Sequence, residues 1–191
     1  MNFDNFRNYT DISENRWYVD KGKRPMRRDM VILHDYVHGT IVDQSALIYG
    51  ADKMVIGNNC YIAPNTYLRG HITIGDMTWI GPFAQINGEF GCEIGRGVGI
   101  GNSVIILTCE HDQRDLNQPI SFGKLVGERI VIGDGANIGV GSIILPGVVI
   151  DEGVQIGAGS VVTKGIYIGK NEIWAGNPAR KVGTRTTPQE L

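Results

Sequence analysis

The chain has 191 residues, of which 18 are Lys or Arg and 20 are Asp or Glu, giving a net charge of −2. That length suits one domain with a sizeable core, and the charge balance argues against nucleic acid as the main partner, since phosphate binding leaves a basic footprint. No apolar run approaches the ~18 residues of a membrane-spanning helix, so no transmembrane segment is expected.

The first residues, MNFDNFRNYTDISENR, are polar and acidic. They lack the basic-then-apolar order of a secretory signal, which makes a cytoplasmic protein the simplest expectation. Residues 1–40 also hold the pair Trp17-Tyr18 and a basic run, Lys21, Lys23, Arg24, Arg27 and Arg28. The run reads best as a solvated face, with a phosphate, an acidic glycan or a membrane surface as the alternative contacts. The whole segment reads as a short N-terminal cap.

A repeat begins at Ile56. Aliphatic residues fall every six positions at Ile56, Ile62, Leu68, Ile74, Ile80 and Ile86. The grid slips by two and resumes at Ile94, Ile100 and Ile106, then returns after a longer break at Ile132, Ile138, Ile144, Ile150, Ile156, Val162 and Ile168. A period of six fits neither a helix nor a half-buried strand. It fits a solenoid whose repeating unit is one short strand and one turn. Gly often follows the aliphatic residue, as at Gly57, Gly75, Gly101 and Gly139, where its freedom suits a tight corner. Gly makes up 27 of the 191 residues, about twice the usual ~7%. Four positions after the aliphatic stands a small or β-branched residue, among them Cys60, Thr66, Ala84, Val104, Ser142 and Ser160. One large and one small inward residue per side would fill a narrow triangular prism.

Residues 108–128, TCEHDQRDLNQPISFGKLVGE, interrupt two intact blocks of the repeat. They read as a loop thrown out from one corner, and long loops in compact folds usually carry function. The repeat fades after Ile168 into NEIWAGNPARKVGTR, and residues 181–191 read as a loose tail. Cys60, Cys92 and Cys109 lack paired metal-site spacing and read as buried, idle thiols.

The repeat and the segment IGRGVGIGNSVIILTCEHD, residues 94–112, resemble the hexapeptide-repeat acyltransferases, and within them the galactoside and maltose-type sugar O-acetyltransferases. The resemblance implies an all-β fold, a left-handed parallel β-helix over residues 41–180 with one protruding loop. It also implies a homotrimer in which each groove between prisms holds one CoA and one histidine. Acetyl-CoA would be the acyl donor, a small carbohydrate or glycan precursor the acceptor, and no metal would be needed. His111 matches the family's catalytic histidine, and a neutral imidazole suits the task of deprotonating a hydroxyl. Glu89, in QINGEFG, matches an acidic residue that binds acceptor hydroxyls, and Asn87 lies beside it where the grid slips. GVGSIILPGVVI, IGAGSVVTK and WAGNPAR resemble CoA-binding coils, which assigns Val140, Gly141, Ala158, Gly159, Lys164 and Arg180 to that ligand. Val140 and Gly141 also lie where the family supplies a backbone donor to the oxyanion.

Two departures bear on the acceptor. The N-terminal segment differs from the helical one of maltose-type enzymes, and Asn137, in IGDGANIG, stands where a Trp is common. The amine of a nucleotide-linked amino sugar is therefore the second expectation for the acceptor. The fold also serves γ-class carbonic anhydrases and silent scaffolds. His34, His38 and His71 lack the spacing of the former's three-histidine zinc site, and the His111 segment disfavours both.

Overall fold

The computed structural model describes residues 39–186; the expected N-terminal cap, including the basic run, His34 and His38, lies outside them. The described chain winds into a parallel β-solenoid of triangular section. One face stacks strands Ile41–Val42, Tyr61–Ile62, Trp79–Ile80, Gly99–Ile100, Asn137–Ile138, Gln155–Ile156 and Glu172–Ala175. The second face runs in register through Leu47, Tyr67, Gln85, Ile105, Ile143 and Val161. The third passes through Met54, Ile72, Cys92 and Ile130, and continues from Val131 to Val149 and Tyr167. Strands Tyr67–Ile74 and Gln85–Ile94 bend around the edge between the second and third faces and belong to both.

All sixteen aliphatic residues of the six-residue grid are buried, from Ile56 to Ile168, and so are the small residues four positions on. Each coil supplies backbone partners for the next, as when Gly57 N–H donates to Ile74 and Gly75 N–H to Ile94. The buried hydroxyls meet carbonyls at the corners: Thr78 Oγ1 donates to Gly95 O at 2.7 Å and Ser142 Oγ to Gly157 O at 3.0 Å. This is how polar side chains stay inside so thin a prism without a desolvation penalty. Cys60, Cys92 and Cys109 are buried free thiols. Burial pushes the Cys92 thiol up to about 12, with the Glu93 carboxylate adding to the rise.

The glycines after the aliphatic residues serve a different need from the one expected. None of Gly57, Gly75, Gly101 and Gly139 has a positive φ. They are needed because coils touch there: a Cβ on Gly139 would lie 2.5 Å from Ala158 N, and one on Gly75 2.6 Å from Gly95 C. The left-handed conformation falls two positions later, at Gly141, Gly147 and Gly159 but also at Asn59, Met77 and Phe83.

The strand Arg180–Thr184 folds back antiparallel on Glu172–Ala175. Regular structure therefore continues past residue 180, because the last coil would otherwise expose an unpaired edge.

Candidate active site

The chain turns between the second and third faces at Arg69–His71, at Asn87–Gly91, at Leu107–Arg129, at Leu145–Gly147 and at Thr163–Gly165. In the first of these, His71 alone separates the paired residues Gly70 and Ile72; in the next, Glu89, Phe90 and Gly91 separate Gly88 from Cys92. The slip in the grid is thus a two-residue bulge that pushes Glu89 and Phe90 outward. In the following coil the bulge becomes the loop. Leu107 still pairs with Asn87, and the chain rejoins the prism where Ile130 pairs with Cys92.

Thr108 ties bulge to loop. Its Oγ1 donates to Asn87 O at 2.9 Å and accepts from Phe90 N–H at 3.0 Å, while its own N–H donates to Asn87 O at 3.0 Å. From there the loop opens as an antiparallel hairpin, Cys109–His111 against Leu125–Gly127. Gly127 is obligatory at its root, since a Cβ would sit 2.0 Å from Thr108 O.

His111 ends the outgoing strand and is exposed. Its Nδ1 lies 2.8 Å from the carbonyl of Gly123. A carbonyl can only accept, so Nδ1 carries a hydrogen, and in the neutral ring the lone pair falls on Nε2. The hairpin thereby fixes the tautomer of the neutral imidazole and leaves Nε2 as the nitrogen that can face a substrate. The neighbouring Asp112 is engaged elsewhere: Arg114 binds it through both carboxylate oxygens and holds its carboxyl down at about 2. The orienting group of His111 is therefore a backbone carbonyl, which the sequence reading did not find. Gly123 gave a signal, for a Cβ there would lie 2.3 Å from Asp112 O, but a lone Gly in a loop does not say what it is for.

Side chains alternate along the outgoing strand. Cys109 turns to the coil before, where Asn87 Nδ2 lies 3.8 Å from its Sγ. His111 shares that side by alternation. Glu110 turns toward the following coils and pairs with Lys164, two coils on. Glu89 stands in the bulge with Arg69 Nε 3.6 Å from its carboxylate. A shallow groove of about 290 Å³ opens between hairpin and prism, lined by Glu110, Val126, Gly127, Glu128, Pro146, Lys164 and Gly165. Among the described residues, no three His, Cys, Asp or Glu side chains are placed to hold a metal ion.

The site residues expected from sequence do not all converge. His111, Asn87, Glu89 and Lys164 share the edge between the second and third faces. Val140, Gly141, Ala158 and Gly159 lie on the edge between the first and second. Arg180 joins them there, paired with Ala175 one coil beyond Gly157. The two edges are six residues apart along a coil, from Gly141 to Gly147, or at most about 20 Å of extended chain. On this second edge Gly141 and Gly159 have φ of +67° and +66°, and nothing lies within 4 Å of where a Cβ would point. They leave a bare lane along the prism. Gly141 is no oxyanion donor within the chain, because its N–H already bonds Asn102 O at 2.9 Å. The N–H of Val140 makes no backbone bond among the described residues, so of the two it is the one left to donate.

Comparison with known proteins agrees with this architecture. The family model "Bacterial transferase hexapeptide (six repeats)" matches residues 53–88 and 129–164, either side of the loop. The chain is similar to AntD, an N-acyltransferase from Bacillus cereus solved with dTDP-4-amino-4,6-dideoxyglucose and coenzyme A, at 28% identity over 78% of this chain and 82% of that one, with a TM-score of 0.71. AntD solved with dTDP and 3-hydroxybutyryl-CoA gives 29% identity over 77% and 80%, with a TM-score of 0.69. A maltose O-acetyltransferase from Clostridium difficile 630 is 35% identical over 61% of this chain and 60% of its own, with a TM-score of 0.55. No curated protein matches the chain. The six-residue repeat, the prism it builds and these likenesses identify the chain as a hexapeptide-repeat acyltransferase.

Proposed function

We propose that the protein transfers an acetyl group from acetyl-CoA to a sugar hydroxyl, with His111 as general base. The observation that carries this is the bond from Nδ1 to the Gly123 carbonyl, which positions the ring and, in its neutral form, puts the lone pair on Nε2. In the reaction Nε2 takes the hydroxyl proton as the oxygen attacks the thioester carbonyl. The resulting oxyanion needs a backbone donor, for which Val140 N–H is available. The C–S bond then breaks, and the imidazolium returns its proton to the departing thiolate. Asn87 and Glu89 lie on the coil before the hairpin, on the side that Cys109 and His111 face, and bind the acceptor. The bare lane of Gly141 and Gly159, with Val140, Ala158 and Arg180, takes the donor's pantetheine arm and phosphates.

The two halves of this site sit on different edges of one prism, so the reading includes a homotrimer in which each groove joins the loop edge of one copy to the glycine lane of another. A cytoplasmic location fits a donor that is a cytoplasmic metabolite class. A cell-surface polysaccharide or lipopolysaccharide precursor fits as the acceptor.

A second reading has its own support. AntD, an N-acyltransferase, overlays on more of this chain than the maltose enzyme does. The acceptor would then be the amine of a nucleotide-linked amino sugar, with the same base. Assay of acetyl-CoA consumption with a panel of free sugars, glycan precursors and nucleotide-linked amino sugars separates the two. His111→Asn checks the base common to both: kcat should fall about 10²- to 10⁴-fold with melting temperature and CoA affinity nearly unchanged. A folded variant retaining more than a tenth of the wild-type kcat removes His111 from the mechanism.

A further inference from the structure

Lys164 stands two coils after the loop, on the edge from which the loop leaves, and its amine reaches back past the turn Leu145–Gly147 to the carboxylate of Glu110. Glu110 is the residue before His111 and sits at the centre of the outgoing hairpin strand. On the side of the coil before, the hairpin root is held by the bonds of Thr108 to Asn87 and Phe90 and by Asn87 Nδ2 on Cys109 Sγ. On the other side the strand faces the groove bounded by Pro146, Lys164 and Gly165, and Glu110–Lys164 is the ion pair that crosses it. The hairpin is otherwise held by its own turn, with Asp112 N–H on Lys124 O and His111 Nδ1 on Gly123 O. Those bonds fix the imidazole relative to the hairpin. They do not fix the hairpin relative to the prism.

We infer that Lys164 is a positioning residue, which clamps the His111 hairpin to the second coil after it through Glu110 and so sets where Nε2 points, instead of meeting a phosphate of the acyl donor. The inference rests on His111 being the base. The remaining candidate phosphate group, Arg180, lies on the other edge with the glycine lane, whereas Lys164 does not. The pair is partly exposed, with side chains 50% and 36% accessible. Exposed pairs are modest in strength, so the clamp biases the hairpin's pose and does not hold the fold. Loss of such a pair changes the population of the competent pose by up to about fivefold, and a charge reversal, which adds repulsion, by about five- to tenfold.

The experiment uses Lys164→Glu, Glu110→Lys and the double swap in the full chain. Each single variant should lower kcat about five- to tenfold, leave the KM for acetyl-CoA within twofold, and speed hydrogen exchange of amides 109–111 and 123–127. The double swap should restore both kcat and protection. A Lys164→Glu variant whose acetyl-CoA KM rises tenfold or more, with no rescue by the swap, would overturn the clamp and make Lys164 a donor ligand. Unchanged exchange in the single variants would also overturn it. Hydrogen exchange reads the clamp without turnover, so its failure is distinct from that of the base assignment, which is read by His111→Asn.

Discussion

At the scale of single residues, the site is built from side chains whose obvious partners are already taken, which leaves the functional atoms free by elimination. Asp112, beside the base, is bound by Arg114. His111 is oriented by the carbonyl of Gly123. Glu89 faces Arg69 at 3.6 Å, beyond good hydrogen-bond reach, and its backbone N–H bonds Asn87 Oδ1 at 3.2 Å. The carboxylate therefore retains acceptor capacity on its outer side. Glu89→Gln keeps the shape and removes the charge, and charge-assisted bonds are about twice as strong as neutral ones. The acceptor's KM should rise by about tenfold while that of acetyl-CoA stays put, as steady-state kinetics with each substrate varied will show. Equal KM values in variant and wild type would reduce Glu89 to a bulge residue. His111 and Glu89 became candidates in sequence because their segments resemble a known pattern. Gly123 and the Glu110–Lys164 pair did not, because nothing in a one-dimensional string marks which carbonyl an imidazole finds or which residue of a later coil lies opposite a loop.

At the scale of elements, the repeat was legible in detail because a prism admits only inward or outward positions, and its six-residue grid names the inward ones. Every grid residue is buried. The slip of two also read correctly as a local irregularity at Asn87–Cys92, and it is the bulge from which the loop of the next coil grows. The glycines were misread in mechanism. Sequence shows that a corner wants Gly; it does not show whether the reason is backbone conformation or contact. The two reasons separate in a pair of variants. At Gly139 a Cβ would press within 2.7 Å of three backbone atoms of the next coils, whereas at Gly159 it would meet nothing but would have to adopt φ of +66°. A side chain in the left-handed region costs about 1–2 kcal/mol. A backbone clash that forces two coils apart costs about 1–3 kcal/mol or more. Gly139→Ala should therefore lower the melting temperature by more than Gly159→Ala. Only Gly159→Ala should weaken CoA binding out of proportion to its stability loss, because its methyl projects into the bare lane. Calorimetry beside CoA titration checks both. Equal melting temperatures for the two variants would contradict the coil-contact account.

At the scale of the whole molecule, the residues of the proposed site divide between two edges of one chain. The period of the solenoid stacks residues eighteen apart, as Tyr61 over Trp79 on the first face, so Gly141 and Gly159 share one edge and Lys164 falls on the next. That separation was present in the numbering, yet the resemblance assigned Lys164 to the same ligand as Val140, Gly141, Ala158 and Gly159. The second face lies between the two edges. Its outward residues in the C-terminal half, Ile105, Leu107, Ile143, Leu145 and Val161, are aliphatic and only half-buried in the single chain. A flat run of aliphatic side chains flanked by both half-sites is suited to packing against another copy, which would bring the glycine lane of one prism to the loop of its neighbour. Ile143→Lys tests this, since Ile143 points outward from a strand whose neighbour Ile144 holds the core. A lysine there leaves the prism interior untouched but places like charges together at a threefold contact. Light scattering should report a trimer for the wild type at micromolar concentration and a smaller species for the variant. CoA affinity should fall with assembly, while the circular dichroism of the solenoid stays the same. A wild-type monomer with full activity would refute the shared site. A monomeric variant that still binds CoA with wild-type affinity would place the whole donor site within one chain.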